Sequence, residues 1–221
     1  MMKSKKPKPV HNPALLHKLF ESKPTKGEQR RYELVQAAFH CLDKHGFESF
    51  TFDLVGKEAG LKPSHVAYYF PTKQHLLVAV FRLLVAELQE GYVEALTPLR
   101  DPLEMLEAYL KVTFDSVEQR SGFRSMVPLL FYFATRDAEI RDIYLSSKRA
   151  GIARVEAIVE QFPKLAGAKK LVLEALAERI ISETHGRVLQ YVIHSEPAYS
   201  ASLRHDSAQK AKKLFKTGVW E

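Results

Sequence analysis

The chain has 221 residues, 46% apolar and 27% charged, with a net charge of +7 and a pI near 9.3. Those proportions suit a globular chain with a sizeable core and exclude a low-complexity or collagen-like one. A lone cysteine, Cys41, excludes a disulfide framework and any CxxC zinc pattern, and points to a reducing compartment.

Residues 1–25 form a basic arm with Lys3, Lys5, Lys6, Lys8, Lys18 and Lys23, broken by Pro7, Pro9, Pro13 and Pro24. Proline at that density prevents a long helix. The arm is expected to be flexible, either lying along phosphates or entering a minor groove, or else serving as a solubilising tail. Its apolar piece, Ala14–Phe20, is too short and too broken for a secretory signal, so the expected location is cytoplasmic.

Helical spacing runs from Lys26 to His45 through Tyr32, Val35, Phe39 and Leu42, with Cys41 as a small core residue. Gly46 is placed to stop that helix. Thr51 is the expected N-cap of a short helix, Phe52–Ala59. Gly60 permits a sharp turn, and Pro63 suits the first turn of another short helix ending near Tyr69. Only Val66 and Phe70 of that second helix look inward.

A long helix follows from about Lys73 to Leu96. Its apolar stretch Leu76–Ala86 is interrupted by Arg82 and is too short to cross a bilayer, so no membrane partner is expected. Further helices are expected over Leu103–Gln119, Phe123–Ala134 (with Pro128 inside), from the Asp137 cap to Gln161, over Ala168–His194 and over Ser200–Lys216. No strand pattern or internal repeat emerges. The expected fold is all-α with about nine helices. It divides into the arm (1–25), a helix-turn-helix domain (26–75) and a larger helical domain (76–221).

Charge follows the same division. Residues 1–75 hold 13 Lys and Arg against 7 Asp and Glu, whereas residues 76–221 hold 20 against 19. A basic end is the footprint of a nucleic-acid-binding domain. In a helix-turn-helix the second helix enters the major groove and its first residues reach base edges. Here those are Lys62, Pro63, Ser64 and His65. Lys62 can donate to guanine O6/N7 or to phosphate, Ser64 can donate or accept, and His65 can read a base edge or contact phosphate. Tyr68 and Tyr69 end the helix with hydroxyls placed for phosphates, or serve as core aromatics. Lys73 at the start of the next helix is a further phosphate candidate.

The run Thr51–Val55, Ala59-Gly60-Leu61, Val66, Tyr68-Tyr69-Phe70, Lys73 and Leu76 resembles the TetR family of bacterial transcriptional regulators. The detailed likeness covers about Arg31–Leu77. Lys62 stands where the family usually has a capping Ser, Ala67 where it usually has a phosphate-contacting Tyr, and Tyr69 where His is common. The resemblance implies that Thr51, Lys62, Pro63, Ser64, His65, Tyr68, Tyr69 and Lys73 form the DNA-binding surface. It also implies a homodimer paired through 168–194 and 200–216. Apolar residues nearly all round the first of these (Leu171, Leu173, Leu176, Ile180, Ile181, Val188, Leu189, Val192) agree with that. The second domain is then expected to hold a small apolar ligand, with Phe81, Tyr109, Phe114, Met126, Phe131, Tyr132 and His185 as candidate lining or plain core.

No HExxH, Cys/His cluster, GxSxG elbow or P-loop is present, so no catalytic residue, metal ligand or cofactor is expected. The function expected from the sequence is a dimeric regulator, a repressor released from a palindromic double-stranded DNA operator by a small apolar ligand. The alternative is a helical dimeric module that binds an apolar ligand or protein partner without sequence-specific DNA binding.

Overall fold

The computed structural model describes residues 25–119, 122–194 and 196–221. Among them are nine helices and no strand. They are α1 (Lys26–His45), α2 (Phe52–Ala59), α3 (Pro63–Tyr69), α4 (Lys73–Leu96), α5 (Pro102–Gln119), α6 (Phe123–Ala134), α7 (Ala138–Val159), α8 (Lys170–His194) and α9 (Pro197–Thr217). The chain divides into two compact units, and the division falls within α4, between Val80 and Phe81. Except for Thr25, the basic arm lies outside the described residues.

Local chemistry sets the helix ends. Thr25 and Glu28 form a capping box on α1: the Glu28 amide donates to Thr25 Oγ1 at 3.2 Å, and the Thr25 amide donates to Glu28 Oε2 at 2.7 Å. Asp137 caps α7 through Ile140 N–H at 2.8 Å. Asp101 accepts the Glu104 amide at 2.9 Å, which brings Pro102 into the first turn of α5, one residue earlier than the sequence pattern suggested. Pro197 likewise opens α9 instead of preceding it. Both cases follow from proline's lack of an N–H, which the first turn does not need. At the other boundaries, α7 ends at Val159 and α8 begins at Lys170, so the connection between them is longer than expected.

The first unit closes around Leu34, Ala38, Cys41, Leu42, Phe50, Val55, Val66, Phe70, Leu76 and Leu77, all buried. Burial pushes the Cys41 thiol up to about 11, with the Glu58 carboxylate adding to the effect, so it behaves as a small apolar filler.

The second unit has a main core drawn from α4, α5, α7, α8 and α9, including Tyr92, Leu106, Tyr109, Val155, Phe162, Ile180 and Leu214. Gly151 on α7 makes room in it: a Cβ there would sit 3.0 Å from the Tyr109 hydroxyl. Two ionic clusters tie α9 down. Arg204 pairs with Asp115 and Glu118 on α5. Glu183 on α8 accepts from Lys210 at 2.7 Å, from Arg187 at 2.8 Å and from the Trp220 indole at 2.8 Å.

Candidate nucleic-acid interface

The geometry of the first unit is set by a turn between α2 and α3. Thr51 caps α2, its Oγ1 accepting the Leu54 amide at 3.2 Å. Gly60 ends α2 in the left-handed region at φ 69°, and the next amide, Leu61 N–H, donates back to the Gly56 carbonyl at 2.8 Å. Gly56 is the tighter constraint. A Cβ on it would lie 2.8 Å from the Leu61 carbonyl oxygen and 3.3 Å from the Pro63 nitrogen, so the chain entering α3 packs directly on a bare backbone. That role of Gly56 has no counterpart in the sequence pattern, where it reads as an ordinary interior helix position.

The helix α3 has seven residues. Only Val66 among them is buried; Pro63, Ser64, His65, Ala67 and Tyr68 are exposed, and Tyr69 is half-buried. The N-cap residue Lys62 makes no side-chain capping bond, and its side chain is exposed. The four candidates for base contact, Lys62, Pro63, Ser64 and His65, therefore sit together on one open surface. Tyr68 is 81% exposed, far too open for a core aromatic, and meets Tyr69 edge-on at 5.1 Å between ring centroids. The Thr51 hydroxyl, already an acceptor in the cap, keeps its own O–H to donate to an anion.

Two contacts hold this surface from behind. Arg31 on α1 donates from Nη1 to the Tyr69 carbonyl at 3.0 Å, with its guanidinium 4.4 Å from the Phe70 ring centre. Lys73 is half-buried, its Nζ 4.2 Å from the Phe47 ring centre and 5.4 Å from that of Phe50. The ammonium thus rests on aromatic faces at the start of α4, where Thr72 Oγ1 accepts the His75 amide at 3.3 Å.

The seven residues singled out in the second unit do not converge on one cavity. Phe81 and Met126 are fully buried, with Phe81 6.2 Å from Phe133. Tyr109 stacks on Tyr92 at 4.5 Å. Phe114 belongs to a separate small core with Val117, Val188, Tyr191 and Leu203. Tyr132 is 50% exposed and faces Arg136 at 4.0 Å. Phe131 and His185 do meet, ring centres 6.4 Å apart, and Tyr144 joins them at 5.1 Å from Phe131. Burial, reinforced by the Lys148 charge, holds the His185 imidazole down at about 4, so it is neutral near pH 7. No group of three or more His, Cys, Asp or Glu among the described residues could hold a metal.

An all-helical chain whose N-terminal unit carries a capped helix, a glycine turn and a short open helix has the layout of a helix-turn-helix DNA-binding protein. Residues 34–80 match the family model for bacterial regulatory proteins of the tetR family. Among curated proteins, the HTH-type transcriptional regulator BetI of Agrobacterium fabrum is 36% identical over 121 residues, 54% of this chain and 58% of that one. BetI of Stenotrophomonas maltophilia is 34% identical over 115 residues, 51% of this chain and 58% of its own. The chain thus spans under two thirds of the length of these relatives. Among solved structures, a TetR transcription regulator from Haloarcula marismortui covers 83% of this chain and 97% of its own, with TM-score 0.74 and 16% identity. A transcriptional regulator from Saccharomonospora viridis in complex with choline covers 87% of this chain and 98% of its own, with TM-score 0.73 and 16% identity. At such identities the two structures share the fold alone. Residues 34–80 thus carry the DNA-binding domain of the tetR family, and over about half of its length the chain is similar to BetI-type transcriptional regulators.

Proposed function

We propose that the protein is a homodimeric repressor that reads a palindromic DNA operator through α3 and is released from it when a small ligand occupies the second unit. The observation that carries this reading is the surface of α3, which buries Val66, half-buries Tyr69 and leaves the other five residues, with Lys62, open to a partner. Lys62 and Ser64 contact base edges or nearby phosphate, His65 reads a base edge, and Thr51, Tyr68, Tyr69 and Lys73 hold the DNA backbone.

Pairing of two copies uses α8 and α9. On α8, Leu171 is 77% exposed, Val172 53% and Ile193 79%, apolar side chains that a partner would cover. The outward positions of α9 include the small residues Ala198, Ala201 and Ser202, which allow close approach. A twofold pair matches two half-sites about 34–36 Å apart, or a multiple of that. Ligand binding that favours a different separation of the two α3 helices depopulates the DNA-competent state. The choline held by the Saccharomonospora protein supports a small molecule as the ligand of this fold.

Selection of bound sequences from random duplex DNA tests the reading. The expected product is a palindrome bound by two copies. A set of selected sequences with no shared motif, or a monomer at micromolar concentration, overturns it.

A further inference from the structure

Along the second unit, α4 and α7 face each other across an open groove. Its apolar walls are Val85 and Ala86 on α4 and Ile143 and Ala150 on α7, with Ser146 between the last two. One end is acidic: Asp142 lies there beside Glu139, which pairs with Arg82 at 2.7 Å. The other end is polar. The Gln89 side chain donates from Nε2 to Ser147 Oγ at 3.2 Å and accepts at Oε1 from Arg154 Nη2 at 2.8 Å.

Arg154 sits one helical turn beyond Ala150 on the same face of α7. Its guanidinium lies 5.0 Å from the Tyr92 ring centre. Its Nη1 is buried without a hydrogen-bond partner, and Arg154 forms no ion pair among the described residues. A half-buried cation whose acceptor is a neutral amide, with one nitrogen orphaned, is costly unless an anion completes it. The groove and this under-paired cation meet at Gln89, which lines the groove and accepts from Arg154 Nη2.

We propose that this groove binds an amphipathic carboxylate, its anionic head on Arg154 in place of the Gln89 amide and its apolar body along Val85, Ala86, Ile143 and Ala150. This rests on the reading of the second unit as the ligand-binding half, and specifies the ligand's chemistry. A carboxylate gains charge-assisted, bidentate bonds from a guanidinium, which a neutral head cannot match. The acidic end fixes the direction of the chain: Asp142 lies twelve residues before Arg154, about 18 Å along the helix, and repels an anionic head. A cationic head is disfavoured at Arg154 for the same reason.

Calorimetry with decanoate, decanol and decyltrimethylammonium, on the full chain, tests the proposal. Decanoate is expected to bind tightest, and Arg154→Gln to weaken it tenfold or more while leaving decanol within about twofold. Ala150→Phe, which fills the groove without touching Arg154, is expected to weaken decanoate and decanol alike, and keeps the test open should Arg154→Gln fail to fold. Decanoate affinity unchanged in Arg154→Gln, no decanoate binding, or tighter binding of the cation overturns the proposal. If decanol binds and releases DNA while decanoate shows no preference, the carboxylate assignment fails and ligand release stands. If decanoate binds through Arg154 yet leaves the DNA complex intact, the assignment stands and ligand release fails.

Discussion

The Arg31 guanidinium on α1 donates to the Tyr69 carbonyl at the end of α3, across 38 residues of sequence, and lies over the Phe70 ring. Seven residues are too few to hold a helix by themselves. Val66 anchors α3 through its side chain and accepts the Phe70 amide at 2.9 Å, and Arg31 fixes the far end against α1. The angle at which α3 presents Lys62–His65 therefore depends on a residue that lies well outside the proposed reading surface.

Arg31→Ala is expected to destabilise the first unit by about 1 kcal/mol, a lost hydrogen bond and cation–π contact at an exposed position. DNA affinity should fall several-fold with the selected motif retained. Arg31→Lys should recover little of it, since an ammonium cannot both bond the carbonyl and lie flat on Phe70. Urea unfolding followed by far-UV circular dichroism, together with DNA competition binding, measures both. An Arg31→Ala protein with wild-type DNA affinity would remove Arg31 from the argument.

The turn glycines are expected to differ. Gly60→Ala strains a left-handed position and should cost about 1–2 kcal/mol. Gly56→Ala places a Cβ 2.8 Å from the Leu61 carbonyl oxygen, backbone that cannot rotate away. Its cost should reach about 1–3 kcal/mol, and α3 should shift relative to α2. Comparing the amide exchange of Leu61 and Phe70 in the two variants distinguishes strain from displacement.

Lys73→Ala should weaken binding to all DNA sequences alike and lower the log–log salt slope by about one. Phe47→Leu removes the aromatic face beneath the ammonium and should reproduce part of the affinity loss with the slope unchanged. An unchanged slope in Lys73→Ala would mean that the ammonium stays on Phe47 in the complex. Ser64→Ala and His65→Ala, in contrast, should alter preference at individual base pairs, which selection from random duplexes would show.

The second unit should lose stability as pH falls from about 6.5 towards 4. His185 is held down at about 4 by burial and by Lys148, whereas in the unfolded chain it titrates near 6.5. Between those values the unfolded chain binds the extra proton, so stability rises with pH and acidification removes it. His185→Phe, which keeps the ring against Phe131 and Tyr144, should flatten that part of the pH profile. Thermal unfolding at pH 7.5, 6.0 and 5.0 gives the comparison, and parallel profiles for the two proteins would exclude His185 as the source.

Much of this arrangement was legible in the sequence because it is local. Thr51, Gly60 and Pro63 act through caps and turns spanning a few residues, so α2, the turn and α3 follow from the pattern. The open face of α3 follows from having Val66 alone to bury. Gly56 was not legible, because the close approach that requires it belongs to the fold and leaves no mark beyond a helix-weakening residue. Arg31 and Phe47 were missed for a related reason: each acts on a residue more than twenty positions away. In the second unit the sequence could mark aromatic side chains as apolar but could not say which ones surround space. Phe81, Tyr109, Phe114 and Met126 are packed among other core side chains, while Gln89, which borders the groove, and Arg154, which bonds it, are polar residues in helical runs and carried no sign of it.

The chain's one tryptophan, Trp220, is 3% exposed and bonded through its indole to Glu183. Intrinsic indole emission from this protein consequently reports on the junction of α8, α9 and the C-terminal residues, and is blind to the helix-turn-helix. A denaturation curve followed at that wavelength describes the second unit alone. A first unit that melts earlier would pass unseen unless tyrosine emission, circular dichroism or DNA binding is followed beside it.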